Sequence, residues 1–411
     1  MWSQPLSRIG NNHRLFFFIL IAVTVLGPAG IDFYLPAFPA LMTEFNSDAA
    51  AVQATLSSFF GGFVVGMLLL GPISDRIGRR PVMLAGTALF VVAALVCSFA
   101  PSIGVLLVAR FFLGIGACAG QVIARSMIND RHDRNESSRM LSMVWMIVAG
   151  GPLVFPLFGG WLLAVADWRW IFYLITAAGF LTLALLVVAM PETLPPSHRH
   201  PHTVKNIAHS FKTILSNRQF VGYAGSSTAV MSAFFIYLGS APAVFMHYYG
   251  ISVGHFGLFF GTIVSGFMIG SFANSRLVRR FGSEQLLQFG LYAATAAALL
   301  VNLAAWTGIG GVYSFTFGMA LFTFSASMIG GNAMAGGLAL FPRISGLASA
   351  LMGMLQFTLG GIGVWFAGVA FGFDPTSRPM AVLMLVVILT GLLLHRILVR
   401  EGGVKGAGAK I

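Results

Sequence analysis

The sequence predicts an all-α polytopic membrane protein, with twelve spanning helices arranged as two six-helix bundles. Three observations carry this. Of 411 residues, 57% are hydrophobic and only 9% charged, with mean hydropathy +0.86. A water-soluble domain needs far more charge on its surface. The apolar runs are continuous rather than alternating, which argues for helices over a membrane β-barrel. Finally, the basic residues gather in every second connection between those runs.

A spanning helix takes about 20 residues, so the chain has room for twelve. In order, the runs lie near 15–36, 52–72, 81–99, 103–127, 140–165, 170–190, 220–242, 256–274, 285–305, 311–335, 345–371 and 379–398. Turn chemistry separates them: AFPALMTEFNSD after the first, APS after the third, TGIGG after the ninth, FGFDPTSRP after the eleventh. The first run is too long for a signal peptide and lacks a small-residue cleavage pattern, so it reads as a retained span.

With the N-terminus inside, the even connections hold Arg76, Arg79 and Arg80, then Arg131, Arg134 and Arg139, then Arg199, Lys205, Lys212 and Arg218. Arg276, Arg279, Arg280 and Arg343 follow, and the tail adds Arg396, Arg400, Lys405 and Lys410. The odd connections hold only Arg169 and Arg378. This asymmetry predicts that both termini are cytoplasmic. It also reassigns the net charge of +12 from nucleic acid to membrane orientation and anionic lipid headgroups. Cys97 and Cys118 fall inside apolar runs and offer neither a disulfide framework nor metal spacing.

The longest hydrophilic stretch, PETLPPSHRHPHTVKNIAHSFKTILSNRQ, separates an N-terminal half (1–192) from a C-terminal half (220–411). Its His198, His200 and His202 are metal-capable residue types. The Pro-rich, mixed-charge setting reads instead as a solvated cytoplasmic linker over 193–219, with no metal expected. The halves share a weak repeat. GPISDRIGRR (71–80) and GSFANSRLVRRFG (270–282) both carry an Arg followed by an Arg-Arg pair, and this register sets Ser275 opposite Asp75. Such repeats are a hallmark of secondary transporters.

Several motifs carry a specific likeness. Gly71-Pro72-Ile73-Ser74-Asp75-Arg76-Ile77-Gly78-Arg79-Arg80 resembles the span 2–3 loop motif of the major facilitator superfamily. Span 4 carries Arg110-Phe111-Phe112-Leu113-Gly114-Ile115-Gly116, similar to that superfamily's R-x-x-x-G-x-G pattern. Span 5 has Gly150-Gly151-Pro152 and Pro156-Leu157-Phe158-Gly159-Gly160, close to its antiporter motif, with Phe155 replacing the usual small residue before the second proline. With IDFYLP in span 1, WRWIF at 168–172 and PETLP at 191–195, the chain resembles the Bcr/CflA drug-resistance antiporters over nearly its whole length. The resemblance implies the major facilitator fold in a bacterial inner membrane. It further implies export of a small-molecule drug against protons, with no cofactor beyond the proton gradient, by a monomer.

Asp32 is the one acid of twelve that lies clearly within a span. An intramembrane ionisable group is expensive and marks function by default, the alternative being a structural pair or a hydrated outer position. Arg110 is the basic residue placed deepest. Counting from the inner helix ends, Asp32 and Arg110 sit at roughly 27 and roughly 30 Å, using about 1.5 Å per residue. The resemblance implies that spans 1 and 4 both line the central cavity, which would let the two pair. A structural arginine bonded to backbone carbonyls is the competing reading. Gln121 shares the Arg110 face together with Gly114, a stripe that suits either a cavity or tight packing.

Asp75, with Gly71, Arg76, Gly78, Arg79 and Arg80, reads as a cytoplasmic latch. The carboxylate would meet the positive end of a helix, which the resemblance implies is the start of span 11 near Arg343. Gly150, Gly151, Pro152, Pro156, Gly159 and Gly160 are expected to thin and bend span 5, as a hinge or a tight contact with span 8. Phe33, Tyr34, Gln121, Tyr237 and Asn332 are the candidate substrate-cavity residues, each equally open to a structural role. No HExxH, GxSxG or paired intramembrane carboxylates point to an enzyme. One acid and one arginine do not make the polar rings of a channel. Within transport, the rival expectation is a symporter importing a nutrient.

Overall fold

The computed structural model describes residues 13–198 and 204–399. The first helix, α1 (His13–Asp32), stops where Pro36 prevents it from continuing. Proline has no N–H for the carbonyl four residues back, here Asp32, and its ring collides with that carbonyl. The chain passes through a 3-10 turn, Leu35–Ala37, and re-forms as α2 (Phe38–Glu44). Most of the connection expected after span 1 is therefore helical, and the first crossing extends over Arg14–Glu44.

Next come α3 (Ala49–Ile77), α4 (Arg79–Ser98), α5 (Ile103–Arg131), α6 (Arg134–Val165) and α7 (Arg169–Ala189). After the linker follow α8 (Val204–Leu215), α9 (Arg218–Pro242), α10 (Val253–Phe281), α11 (Ser283–Thr307), α12 (Gly311–Ala339), α13 (Ser345–Phe373) and α14 (Arg378–Leu398). Among the described residues, 12 helical stretches are long and apolar enough to cross a membrane. The caps follow local chemistry. Asn217 accepts the Phe220 N–H at 3.0 Å to start α9, and Ser102 accepts the Val105 N–H at 3.4 Å to start α5. Past Pro242 the chain widens into a π turn, Ala243–Tyr248.

Two compact units are formed. The first holds α1, α2 and α4–α7 with α3 from Ala54 onward; the second takes Asp48–Gln53 and the described residues from Val204 on. In the first, α4 packs on α5 and α7, while α1 lies against α5, α6 and α7. Ile19, Leu20, Met83, Ile123, Met127 and Leu186 form its core. In the second, α9 is the most buried crossing and is wrapped by α12, α13 and α14. The stretch expected to be a solvated linker contains α8, an amphipathic helix whose Phe211 and Ile214 pack inward. Its Ile214 is fully buried with Phe220, Ala348 and Met352. His200 and His202 lie outside the described residues.

The repeat is present, but in a different register from the arginine match. Helices α3 and α10 each have 29 residues, and each is followed by a single glycine, Gly78 or Gly282, that opens the next helix. Both glycines hold glycine-only backbone: φ 113°, ψ 158° and φ 83°, ψ 160°. Aligning these corners puts Arg279, not Ser275, opposite Asp75, and puts Glu284 opposite Arg80. The first Arg-Arg pair opens α4, whereas the second closes α10, about one helical turn earlier.

Candidate functional site

The break after Asp32 builds the site. A helix end leaves its last carbonyls without helical partners. Arg110, fully buried on α5, supplies one: its Nη1 donates to the Gly30 carbonyl at 2.5 Å. Arginine near a helix C-terminus is well placed for this work. The guanidinium lies 4.3 Å from the Tyr34 ring centroid and 4.8 Å from that of Phe59. Its Nε and Nη2 have no hydrogen-bond partner among the described residues. Desolvated ring contacts of this kind are worth about 2 kcal/mol, which partly offsets the loss of water.

Asp32 is 3% exposed and makes no ion pair among the described residues. The depth-matched Asp32–Arg110 pair expected from sequence is not formed. The arginine instead fixes the backbone two residues before the acid. Depth along two helices does not set azimuth, and the open Gly30 carbonyl competes for the same cation.

The neighbouring aromatics are packed. Tyr34 is fully buried, its hydroxyl 2.7 Å from the Thr55 hydroxyl and its ring against Phe38 and Phe172. Phe33 packs on Phe155, which gives a role to the residue that departs from the antiporter motif. Gln121 is half-buried on α5, its Nε2 3.5 Å from where a Gly27 side chain would begin. Gly114 lets α5 close onto the Phe59 backbone, so packing accounts for that glycine.

Helix α6 runs unbroken through Pro152 and Pro156. Its small residues seat on the segment carrying Asp32. A side chain at Gly151 would stand 3.2 Å from Pro28, and one at Gly159 would stand 2.6 Å from the Phe33 carbonyl and 3.3 Å from Pro36. Gly160 is buried and Gly150 faces open space. The tight contact expected of this motif therefore includes one with the first crossing. In the second unit, Tyr237 is fully buried and stacked on Phe260 at 5.8 Å. Asn332 donates to Asn274 Oδ1 and to the Met328 carbonyl, both at 2.8 Å, and so ties α12 to α10.

At the Gly78 corner, Arg79 is the hub. Its Nη1 meets Asp75 Oδ1 at 2.5 Å and Ser74 Oγ at 2.6 Å, and its Nε donates to Asp130 Oδ2 at 3.0 Å. Ser74 in turn donates to the Gly71 carbonyl at 2.7 Å. Gly78 cannot cap α4 with a side chain, so Glu192 does. It accepts the N–H of Arg79 at 2.9 Å and of Arg80 at 3.2 Å, besides those of Thr193 and Leu194. Arg80 reaches the Val187 carbonyl at 2.8 Å, and Thr193 closes the ring onto Asp130 at 3.1 Å. Arg76 is exposed, and Arg343 lies in the 3-10 turn Pro342–Ile344 with its side chain outside the described residues. Asp130 and Glu192 were not expected in this cluster. The available signal was the acid of PETLP following span 6, opposite a helix with no cap of its own.

Twelve apolar crossings in two units, with a buried acid and a buried arginine in the first, are the architecture of a membrane transport protein. Residues 20–364 match the Major Facilitator Superfamily, and the chain belongs to that family; it is a transporter rather than an enzyme. It is 32% identical to the uncharacterized MFS-type transporter YdgK of Bacillus subtilis (strain 168), over 93% of this chain and 95% of that one. It is 30% identical to a bicyclomycin resistance protein homolog of Haemophilus influenzae, covering 85% and 87%. The multidrug resistance protein MdtL of Citrobacter koseri is 27% identical, covering 90% and 92%. Among solved structures, a D-xylose-proton symporter superposes with TM-score 0.75 at 18% identity, covering 95% of this chain and 99% of that one. The xylose transporter XylE from E. coli gives TM-score 0.72 at 15% identity, covering 93% and 96%. At these identities the two structures establish the fold alone.

Proposed function

We propose that the chain is a proton-coupled antiporter that exports small amphipathic antimicrobials across a bacterial inner membrane, as a monomer with both termini cytoplasmic. The relatives named for bicyclomycin and multidrug resistance support the substrate class. Loop charge supports the orientation. The observation that carries proton coupling is Asp32, a buried acid in a crossing helix with no ion-pair partner among the described residues. A carboxyl group so placed is neutral when it holds a proton and carries a costly charge when it does not.

Alternating exposure of Asp32 to the two sides lets it load a proton from one and release it to the other. Arg110 holds the carbonyl of Gly30, so the charge on Asp32 is felt at a helix end that the arginine fixes. Drug and proton compete for this region, and entry of the drug favours the unprotonated acid. Each elementary charge moved contributes roughly 2.3 kcal/mol per 100 mV of membrane potential.

The test is drug transport in proteoliposomes under an imposed pH gradient. Asp32→Asn is expected to lose uphill, pH-driven transport while still inserting and still exchanging drug downhill. Undiminished pH-driven transport by this variant would overturn the mechanism. Proton-driven uptake into everted vesicles, and not into whole cells, supports export over import.

A further inference from the structure

The second unit carries a titratable cluster that the coupling site does not use. After residue 219 the sequence holds only three acids, Glu284, Asp374 and Glu401. Glu284 alone of these lies in a described helix, in the first turn of α11. One oxygen of its carboxylate accepts the Tyr223 hydroxyl of α9 at 2.8 Å. The other lies 3.2 Å from Nε2 of His395, in the last turn of α14. Tyr223 is held in place by Gly336, where any side chain would run into its ring, and it stacks edge-on with His395 at 6.1 Å. The imidazole is 3% exposed and its Nδ1 has no hydrogen-bond partner among the described residues, while the Glu284 side chain is 37% exposed. The pair is thus buried on one side and open on the other.

We propose that Glu284 and His395 form a second proton-binding site, a clasp that tightens on α9, α11 and α14 when the imidazole takes up a proton. Imidazole changes charge between about pH 5 and 8. Protonated, it sets a cation against the carboxylate; neutral, it offers only a dipole. Both helix ends favour the charged pair, since an anion suits the start of α11 and a cation the end of α14. No competing charge is paired with either group. Helix α9 brings Tyr223, Arg218 at its first residue and Tyr237 near its other end; α12 and α13 bring no titratable side chain except Tyr313 at the far end of α12. On α10, Arg276 and Arg280 lie over the rings of Phe272 and Phe281, and Arg279 makes no ion pair among the described residues; on α14, Arg396 lies over Tyr292. The proton enters through the exposed face of Glu284, and the uptake is reversible.

The clasp is independent of Asp32, so the two can fail separately. Hydrogen exchange of the full chain in lipid nanodiscs, corrected for intrinsic rates, is followed for the last two turns of α14 at about pH 5.5 and about pH 8.5. In wild type these amides are expected to exchange about fivefold more slowly at the acid pH, the factor that one modest interaction supplies. Glu284→Gln keeps the tyrosine contact and abolishes the difference; His395→Gln does the same, and the double variant adds nothing. Asp32→Asn retains the difference. Equal protection of wild type at the two pH values, or an undiminished difference in Glu284→Gln, would overturn the proposal. Should His395→Gln fail to fold, the half-exposed Glu284→Gln still decides it.

Discussion

The Gly78 and Gly282 corners share a backbone and differ in everything attached to it. Each ends a 29-residue helix on a glycine that no other residue would replace without strain. At the first, a permanently charged arginine gathers Asp75 and Asp130 while Glu192 caps the next helix. At the second, Glu284 meets a neutral tyrosine hydroxyl and an imidazole, the side-chain type whose charge changes near neutral pH. A duplicated fold keeps the dihedrals that its turn requires and leaves the chemistry of the turn free to diverge.

This contrast can be broken. Removing the hub with Arg79→Ala takes from Asp75 and Asp130 the cation they share, and is expected to cost the first unit about 3 kcal/mol, as for other buried pairs stripped of one partner. Chemical unfolding in mixed micelles would measure it; a loss below about 1 kcal/mol would place the network in water, where such pairs are weak. The backbone half of the comparison is sharpened by Gly78→Ala and Gly282→Ala. Both should destabilise, each by about 1–3 kcal/mol. A large cost at one and none at the other would mean that the corners are not equivalent. Smallest is Glu192→Gln, which keeps one acceptor oxygen, replaces the other with an amide that cannot accept a second N–H, and removes the charge at the start of α4, for about 1 kcal/mol. Its signature is faster hydrogen exchange at Arg79 and Arg80, with the rest of α4 unchanged.

Much of this was legible in sequence, because the membrane imposes it. Twelve runs, the small-residue motifs and the lone acid in a crossing all follow from what hydrocarbon tolerates. What failed to read out depended on direction. The Arg-Arg match of the two halves was a match of composition; the glycines, which carry a backbone requirement, hold the structural register. The Asp32–Arg110 pairing assumed that equal depth implies contact, whereas the end of α1 leaves the Gly30 carbonyl without a helical partner, and that carbonyl holds the guanidinium. Tyr34 offered an aromatic ring at the right position, yet it is locked by Thr55 and the ring of Phe172. The linker concealed α8 because its apolar positions are spaced for one face only, and a hydropathy average erases that spacing.

The lengths of the helices have a consequence for salt. A 29-residue helix measures about 43 Å against a hydrocarbon core of about 30 Å, and an ordinary lean of about 20° shortens it by only a few ångströms. Roughly two turns of α3 and α5 must therefore stand clear of the lipid tails, and their last turns carry Asp75 and Asp130. Ions reach those turns. The Arg79 network should slacken as ionic strength rises and the Debye length shrinks from about 10 Å toward about 3 Å. Arg110, sealed between rings and a carbonyl, should be indifferent to the same change. One transporter thus carries two arginines, of which only the first senses the electrolyte around it.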